Sequence, residues 1–276
     1  MEFIKKNLKT LSLFCALIFL IIYALISNSL ELRFCNILIC SLTCIYLYKY
    51  IREDFKKNKI KNVLGKYLSY DIMEKVVNDI DNVSLGGKRA NVTVLFADIR
   101  NFTAISENMD PDSVSKILNE YFSALVPIIE EHNGVLNKFV GDAMLVIFGE
   151  PKKSETHAMD AVECGIRMLR KVKFLQEKWL EEGKPKIEMG IGISTGEAFV
   201  GNIGSKNRLE YTVLGDTVNT ASRIENYNKV YKTNFLVSES TYQKVKSNVD
   251  AFTIKNVAIK GKASKINLYE IIRLAK

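Results

Sequence analysis

Residues 91–99 of the chain have the sequence NVTVLFADI, from which the fold can be predicted. Its β-branched and aromatic residues predict a buried strand, and this strand carries an acid, Asp98, close to its end. A second apolar stretch, GVLNKFVGDAMLVIF at residues 134–148, predicts two strands that meet at a turn around Gly141 and Asp142. Each of the two acids therefore stands where an apolar strand ends or turns.

Amphipathic helices separate these strands. The pair Asp110-Pro111 predicts a helix start, because Asp caps helices and Pro suits the first turn, and apolar residues then recur at helical spacing. Residues 158–179 predict a second amphipathic helix. Residues 186–193 and 198–203 predict two strands joined by a turn that contains glycine.

The predicted order is β-α-β-β-α-β, followed by extra C-terminal elements. These are a helix at residues 217–226, a strand at residues 234–238 and two short strands within residues 256–271. The order is that of the split βαβ, or ferredoxin-like, arrangement. Because the chain is 47% hydrophobic and 25% charged, it can bury a core, and a disordered chain is excluded. We therefore predict an α+β, palm-like domain with a C-terminal extension.

The N-terminal part of the chain has the pattern of a membrane anchor. Residues 10–30 contain no charge and are long enough to cross about 30 Å of hydrocarbon, and a shorter uncharged run covers residues 34–48. Most of the net charge of +8 lies beside these runs, within the first 66 residues. We expect a two-helix transmembrane hairpin with both ends in the cytoplasm; a signal peptide is the alternative. The rest of the chain is nearly neutral, which disfavours a nucleic-acid binder.

A linker separates the anchor from the domain. Residues 60–80 have apolar side chains at three- and four-residue spacing, which predicts one or two amphipathic helices. These helices either pack on their own domain or pair with a second copy of the chain. The turn signal SLGG at residues 84–87 marks the domain boundary.

Two acids are candidates for a metal site. In a ferredoxin-like sheet, the strands that carry Asp98 and Asp142 are neighbours, so the two carboxylates meet at one edge. Two such acids repel each other unless a cation lies between them, and Mg²⁺ prefers a few carboxylates together with substrate phosphates. Taken singly, each acid is more often a cap or turn residue; only the combination favours a metal site.

Basic and amide side chains are further candidates. Lys138 lies in an apolar strand, so its ammonium group either meets an acceptor or points to solvent. Asn219 and Arg223 share one helical face, which suits phosphate and ribose oxygens but is also typical of a solvated surface. Lys260 lies beside Gly261, in a segment that either contacts a triphosphate or forms a hairpin turn.

Together these residues resemble the catalytic domain of the class III nucleotidyl cyclases. The resemblance covers residues 85–273. It rests on five motifs in the expected order, namely VTVLFADIRNFT (92–103), NKFVGDAMLVIFG (137–149), GIGISTGEAFVGNIG (190–204), YTVLGDTVNTASRIE (211–225) and IKGK (259–262).

The resemblance implies roles for the metal-binding and base-reading positions. Asp98 and Asp142 fall on the aspartates that bind two Mg²⁺ per site, for which Mn²⁺ can substitute. Lys138 and Thr212 fall on the pair that reads the base, and these residue types imply ATP rather than GTP. Many family members have Asp at the second position; the Thr variant resembles a subgroup that bicarbonate often stimulates.

The resemblance also implies how the reaction is stabilised. Asn219 and Arg223 fall on the residues that stabilise the transition state, and Lys260 falls on the lysine that contacts the triphosphate. Family sites form between two subunits, with the metal acids from one and the other residues from its partner. A homodimer would then carry two equivalent sites.

We therefore expect a membrane-anchored adenylate cyclase that makes 3′,5′-cyclic AMP and pyrophosphate from ATP, with its catalytic domain in the cytoplasm. The expected segments are two transmembrane helices with a short external loop (residues 1–51), a cytoplasmic helical linker (52–84) and the catalytic domain (85–276). One alternative is an inactive, cyclase-like domain that only binds nucleotide or a partner. A palm-type polymerase or diguanylate-forming enzyme is disfavoured, because its GGDEF-like turn is absent.

Overall fold

The structure is a computed structural model that describes residues 30–78, 84–205, 207–259 and 264–275. It divides the chain into two units, residues 1–66 and residues 67–276. Two predicted features lie outside the described residues: the first uncharged run up to residue 29, and Lys260.

The first unit contains one described helix, α1 (Leu30–Leu64). The second predicted membrane run, residues 34–48, lies within this helix. The helix continues beyond the run into a segment rich in charged residues. Among the helices that the structure describes, none combines the length and the apolarity needed to cross a bilayer. The predicted transmembrane hairpin is therefore not supported, since the uncharged run is too short before the charges begin.

The linker forms a second helix, α2 (Tyr70–Asn78), after a turn that begins at Gly65. Ile72 and Met73 of α2 are buried, and Ile72 packs in an apolar cluster that includes Val92. Of the two arrangements predicted for the linker, this helix takes the one in which it packs on its own domain.

The rest of the second unit is a mixed α+β domain. Its elements in chain order are β1 (Gly86–Ile99), α3 (Phe102–Ser106), α4 (Pro111–Glu131), β2 (Val135–Val140), β3 (Ala143–Phe148), α5 (His157–Glu181), β4 (Met189–Ser205), β5 (Arg208–Leu214), α6 (Asp216–Tyr231), β6 (Phe235–Ser238), α7 (Glu239–Val245), β7 (Val249–Val257) and β8 (Ile266–Leu274).

The strands form one eight-stranded sheet with β1 near its centre. The order is β2-β3-β1-β4-β6-β8-β7, and β5 pairs with β4 beside this path. β1 is antiparallel to both β3 and β4, while β4 and β6 are parallel. The predicted β-α-β-β-α-β order is confirmed for the elements from β1 to β4.

The core lies on both faces of the sheet. Alternate residues of β1 point to opposite faces, so that Leu95 packs with α4 and α5, whereas Val94 packs with α2 and α6. Tyr121 of α4 and Trp179 of α5 are fully buried on the first face. Asp110 caps α4 as predicted, because its Oδ1 accepts a hydrogen bond from the backbone N–H of Ser113 at 2.9 Å.

The turn predicted between residues 193 and 198 is wrong, because β4 is one continuous strand. β1 pairs with it from Gly86 opposite Asn202 to Ile99 opposite Met189. The glycine at position 196 serves another purpose: a Cβ there would lie 2.8 Å from Oγ1 of Thr217. Glycine in this strand therefore lets α6 approach closely.

Candidate active site

Asp98 and Asp142 lie together at one edge of the sheet. β1 and β3 pair so that Ala97 faces Met144, which brings Asp98 beside the turn that carries Asp142. Burial, the negative charge of Asp142 and hydrogen bonding with its carboxyl group raise the pKa of Asp98 to about 6. Asp98 Oδ1 also accepts from the backbone N–H of Ile99 at 3.0 Å.

This acid pair fits a divalent cation. A cation between the carboxylates would offset the repulsion that raises the pKa of Asp98. In the described part of the chain, no group of three or more His, Cys, Asp or Glu side chains could hold a metal. Asp98 and Asp142 would therefore need further oxygen ligands, and the phosphates of a nucleotide are of the right kind.

A third acid, the buried Glu225, lies within electrostatic reach of the two aspartates and of Arg100, and sequence reasoning missed it. Burial and the nearby charge of Asp98 raise the pKa of Glu225 to about 7, while the charge of Arg100 opposes this shift. Gly190 makes room for both groups: a Cβ there would lie 2.5 Å from Glu225 Oε1 and 3.0 Å from Arg100 Nε. Arg100 also donates to the carbonyl of Thr233. No pattern in the sequence links these positions, which are far apart along the chain.

The predicted base-reading residues lie on β2 and β5. Lys138 of β2 forms an ion pair with Glu210 of β5, so the ammonium group meets an acceptor, one of the two outcomes expected. Thr212 of β5 is 5% exposed. Its neighbour in β5, Tyr211, has its hydroxyl within 3.3 Å of the ammonium of Lys75 in α2.

Asn137 connects the two strands, which no pattern in the amino-acid sequence indicates. Its Nδ2 donates to the carbonyl of Tyr211 at 2.7 Å, and its Oδ1 accepts from the hydroxyl of Thr212 at 3.0 Å. The pairing of β2 with β3 is irregular between Leu136 and Lys138, so Asn137 lies at a β-bulge. A bulge of one residue leaves no trace in the apolar pattern of so short a strand.

Asn219 and Arg223 lie on α6, as predicted. Asn219 is exposed and Arg223 is half-buried. Within the described residues, neither side chain has a hydrogen bond or an ion pair, so neither is bonded to Asp98 or Asp142. A single chain therefore places the two acids together at one location and the two base-reading residues together at another. Among the residues described, neither group is bonded to Asn219 or Arg223.

The domain matches a known family. Residues 87–273 match the model described as the adenylate and guanylate cyclase catalytic domain. A terminal-differentiation-specific adenylate cyclase of Dictyostelium discoideum is 34% identical over 218 residues, which cover 77% of this chain and 10% of that protein. The chain therefore spans only a small part of this relative.

Two solved structures share the fold at equal similarity. The guanylyl cyclase Cya2 superposes with a TM-score of 0.65 at 35% identity, covering 70% of this chain and 96% of that one. The adenylyl cyclase CyaB from P. aeruginosa superposes with a TM-score of 0.65 at 33% identity, covering 70% of this chain and 98% of that one. With the family match over residues 87–273, these likenesses show that the chain belongs to the class III adenylyl and guanylyl cyclase family.

Proposed function

We propose that this protein is an adenylate cyclase, which converts ATP into 3′,5′-cyclic AMP and pyrophosphate. The observation that carries the proposal is the placement of Asp98 and Asp142 side by side at the sheet edge, in a domain of the cyclase family. The names of the Dictyostelium relative and of CyaB support ATP as the substrate, whereas the name of Cya2 does not. The choice of nucleotide therefore rests on the chemistry of the base-reading residues.

Lys138 and Thr212 favour adenine. An ammonium group only donates hydrogen bonds, so Lys138 suits the N1 atom of adenine, which accepts, and opposes the N1–H of guanine, which donates. Thr212 carries no charge, and its buried hydroxyl can accept from the 6-amino group of adenine. A site built on such hydrogen bonds discriminates strongly, because a mismatched base leaves buried polar groups unpaired.

In this reaction the protein mainly aligns the reacting groups and stabilises the negative charge of the phosphates. The ribose 3′ hydroxyl attacks the α-phosphorus, and the bond to the pyrophosphate oxygen breaks. Asp98 and Asp142 would hold Mg²⁺ or Mn²⁺, which when bound lowers the pKa of the attacking hydroxyl and neutralises the phosphates. Arg223 stabilises charge on the α-phosphate, Asn219 orients the ribose, and Lys260 binds the triphosphate.

The proposal includes a homodimer with shared sites. Four large apolar side chains are exposed beside the site residues: Phe139 at 46%, Val140 at 53%, Phe199 at 36% and Leu214 at 51%. Phe199 and Leu214 are partners across β4 and β5, close to Thr212. Apolar residues that flank site residues in this way are typical of a protein interface. A second subunit on this surface would supply Asn219 and Arg223 to the acids of the first.

The direct test is turnover by the purified full chain. With Mn²⁺ or Mg²⁺, we expect cyclic AMP from ATP and a kcat/KM for ATP at least about tenfold above that for GTP. Preferred formation of cyclic GMP would contradict the ATP assignment. Tight nucleotide binding without either product would support the inactive, nucleotide-binding alternative.

Membrane attachment is also proposed, and it rests on the uncharged residues 10–30 with basic residues before them. We expect the full chain to sediment with membranes and to resist extraction by high salt and alkali, with the catalytic domain on the cytoplasmic side. Release by salt alone would contradict an integral anchor.

Bicarbonate stimulation is proposed from Thr212 at the second base-reading position. At constant pH and ionic strength, adding bicarbonate should raise the turnover of ATP, with chloride as the control salt. Equal rates in the two salts would exclude this regulation.

A further inference from the structure

The hydroxyl of Thr212 does not by itself discriminate between adenine and guanine. A threonine hydroxyl has one proton to donate and two lone pairs to accept with. If the O–H bond can rotate freely, the same atom accepts from the 6-amino group of adenine or donates to the 6-oxo group of guanine. Discrimination at this position therefore requires a second residue that fixes the direction of the hydroxyl.

Asn137 is in position to fix it. The backbone carbonyl of Tyr211, 2.7 Å from the amide of Asn137, can only accept a hydrogen bond. The amide atom that faces this carbonyl must therefore be Nδ2, and the atom that faces Thr212 must be Oδ1. Since Oδ1 can only accept, the contact of 3.0 Å requires the hydroxyl of Thr212 to donate its proton to Asn137.

The backbone holds this arrangement in place. Asn137 lies at the bulge of β2, where it has no partner residue in β3, and bulges redirect a side chain away from the regular strand pattern. Its side chain crosses to β5 and binds two consecutive residues there. Lys138, which follows the bulge in β2, forms an ion pair with Glu210 of β5. The two base-reading side chains and Asn137 thus form one group across β2 and β5.

We infer that Asn137 is a positioning residue that sets the base specificity: its Oδ1 accepts the hydrogen bond that the Thr212 hydroxyl donates, so that the hydroxyl oxygen can only accept from the base. The remaining lone pairs of Thr212 then suit the 6-amino group of adenine and oppose the 6-oxo group of guanine. This inference rests on the proposed function, in which Thr212 contacts the base.

The test is the specificity ratio, kcat/KM for ATP divided by kcat/KM for GTP, in the full chain. We expect Asn137→Ala to lower this ratio at least about tenfold, because the freed hydroxyl of Thr212 can donate to guanine. Dissociation constants of ATP and GTP should shift in the same sense. Asn119→Ala, which removes an exposed asparagine that donates to Ser115 of its own helix, is the matched control and should leave the ratio unchanged.

A double-mutant cycle separates positioning from a general structural effect. Asn137→Ala should leave the ratio unchanged in a Thr212→Val background, where no hydroxyl remains, and should still lower it in a Thr212→Ser background. An unchanged ratio in the folded Asn137→Ala protein would overturn the inference. So would an equal loss of turnover for both nucleotides, or the same effect in the Thr212→Val background.

A measurement on the unsubstituted protein keeps the inference testable if Asn137→Ala does not fold. Inosine triphosphate has the 6-oxo group and N1–H of guanine without its 2-amino group. We expect its kcat/KM, or its affinity if turnover is absent, to lie at least about tenfold below that of ATP; equal values would overturn the inference. A chain that does not favour ATP over GTP would contradict the proposed function as well, whereas an ATP-selective chain that is insensitive to Asn137 would contradict only this inference.

Discussion

The carboxyl groups of Asp98 and Asp142 are under electrostatic strain that a cation would relieve. We expect Asp98→Asn or Asp142→Asn to abolish cyclic nucleotide formation, because each acid is needed to hold the cations at the phosphates. The substitution removes a repulsive carboxylate, so the melting temperature without metal should not fall. The increase in melting temperature on adding Mn²⁺ should be lost. Near-normal turnover in either variant with Mg²⁺ would contradict the metal assignment.

Single residues differ in how well the sequence predicts them. Asp98 and Asp142 were predicted to meet, because each lies at the end of an apolar strand and the two strands are neighbours in a split βαβ sheet. Asn137 and Glu225 were not identified as site residues from the sequence. The first depends on a bulge, and the second on the approach of α6 to the glycines of β4, and neither produces a periodic signal.

The two helices on one face of the sheet are joined by a charged group at Glu120 of α4. Its carboxylate accepts hydrogen bonds from Lys178, from Trp179 Nε1 at 2.9 Å and from Lys184 Nζ at 3.0 Å. These bonds, that from Lys178 first, lower the pKa of Glu120 from 4.5 to about 2. A lowered carboxyl pKa stabilises the fold above about pH 4.5 and is lost as the pH falls towards 2.

We therefore expect Glu120→Gln to lower the free energy of unfolding at pH 7 by about 1 kcal/mol, after allowance for solvent screening. Between pH 5 and pH 2, the variant should lose less stability than the unsubstituted protein, because it no longer has this group to protonate. Thermal or urea unfolding across this pH range measures both effects. Glu131→Gln, at the exposed end of the same helix, is the control; parallel curves for the protein and Glu120→Gln would contradict the assignment.

The contact between β4 and α6 depends on glycine. A Cβ at position 192 would lie 2.2 Å from the backbone nitrogen of Glu225 and 2.5 Å from the carbonyl of Ala221, and backbone atoms cannot move aside cheaply. Gly192→Ala should therefore destabilise the domain by about 1–3 kcal/mol and displace the helix that carries Arg223. Denaturant unfolding and turnover measure the two consequences. Full stability together with full activity would show that α6 does not pack on β4 as described.

Element order was largely predictable from the sequence, and element extent was not. The apolar periods predicted the strands and helices from β1 to β4, but the glycines of β4 suggested a turn. They are explained by the helix packed against them. The strand β5 was not predicted, and its pairing with β4 is what brings Thr212 towards β2. A pattern within one segment carries no information about a neighbour that comes from elsewhere in the chain.

The whole molecule is proposed to act as a dimer, because one chain does not complete a site. In the described part of the chain, Asp98 and Asp142 lie together without a hydrogen bond or ion pair to Asn219 or Arg223, and exposed apolar side chains lie beside the base-reading pair. No feature of a single sequence indicates which residues come from which subunit; the resemblance to the cyclases supplied that expectation. We therefore propose that catalysis occurs at sites shared by two copies of this chain.

Mixing two inactive variants tests directly whether the catalytic site is shared between two subunits. Asp98→Asn alone should be inactive, and Arg223→Ala alone nearly so, since loss of one charge stabiliser lowers the rate by about 10²–10³. After subunit exchange, each mixed dimer contains one intact site, and random pairing makes about half of the dimers mixed. The mixture should therefore recover roughly a quarter of the unsubstituted activity, by two-fold symmetry. A mixture no more active than its parents, with exchange confirmed by a tagged subunit, would contradict a site shared across the dimer.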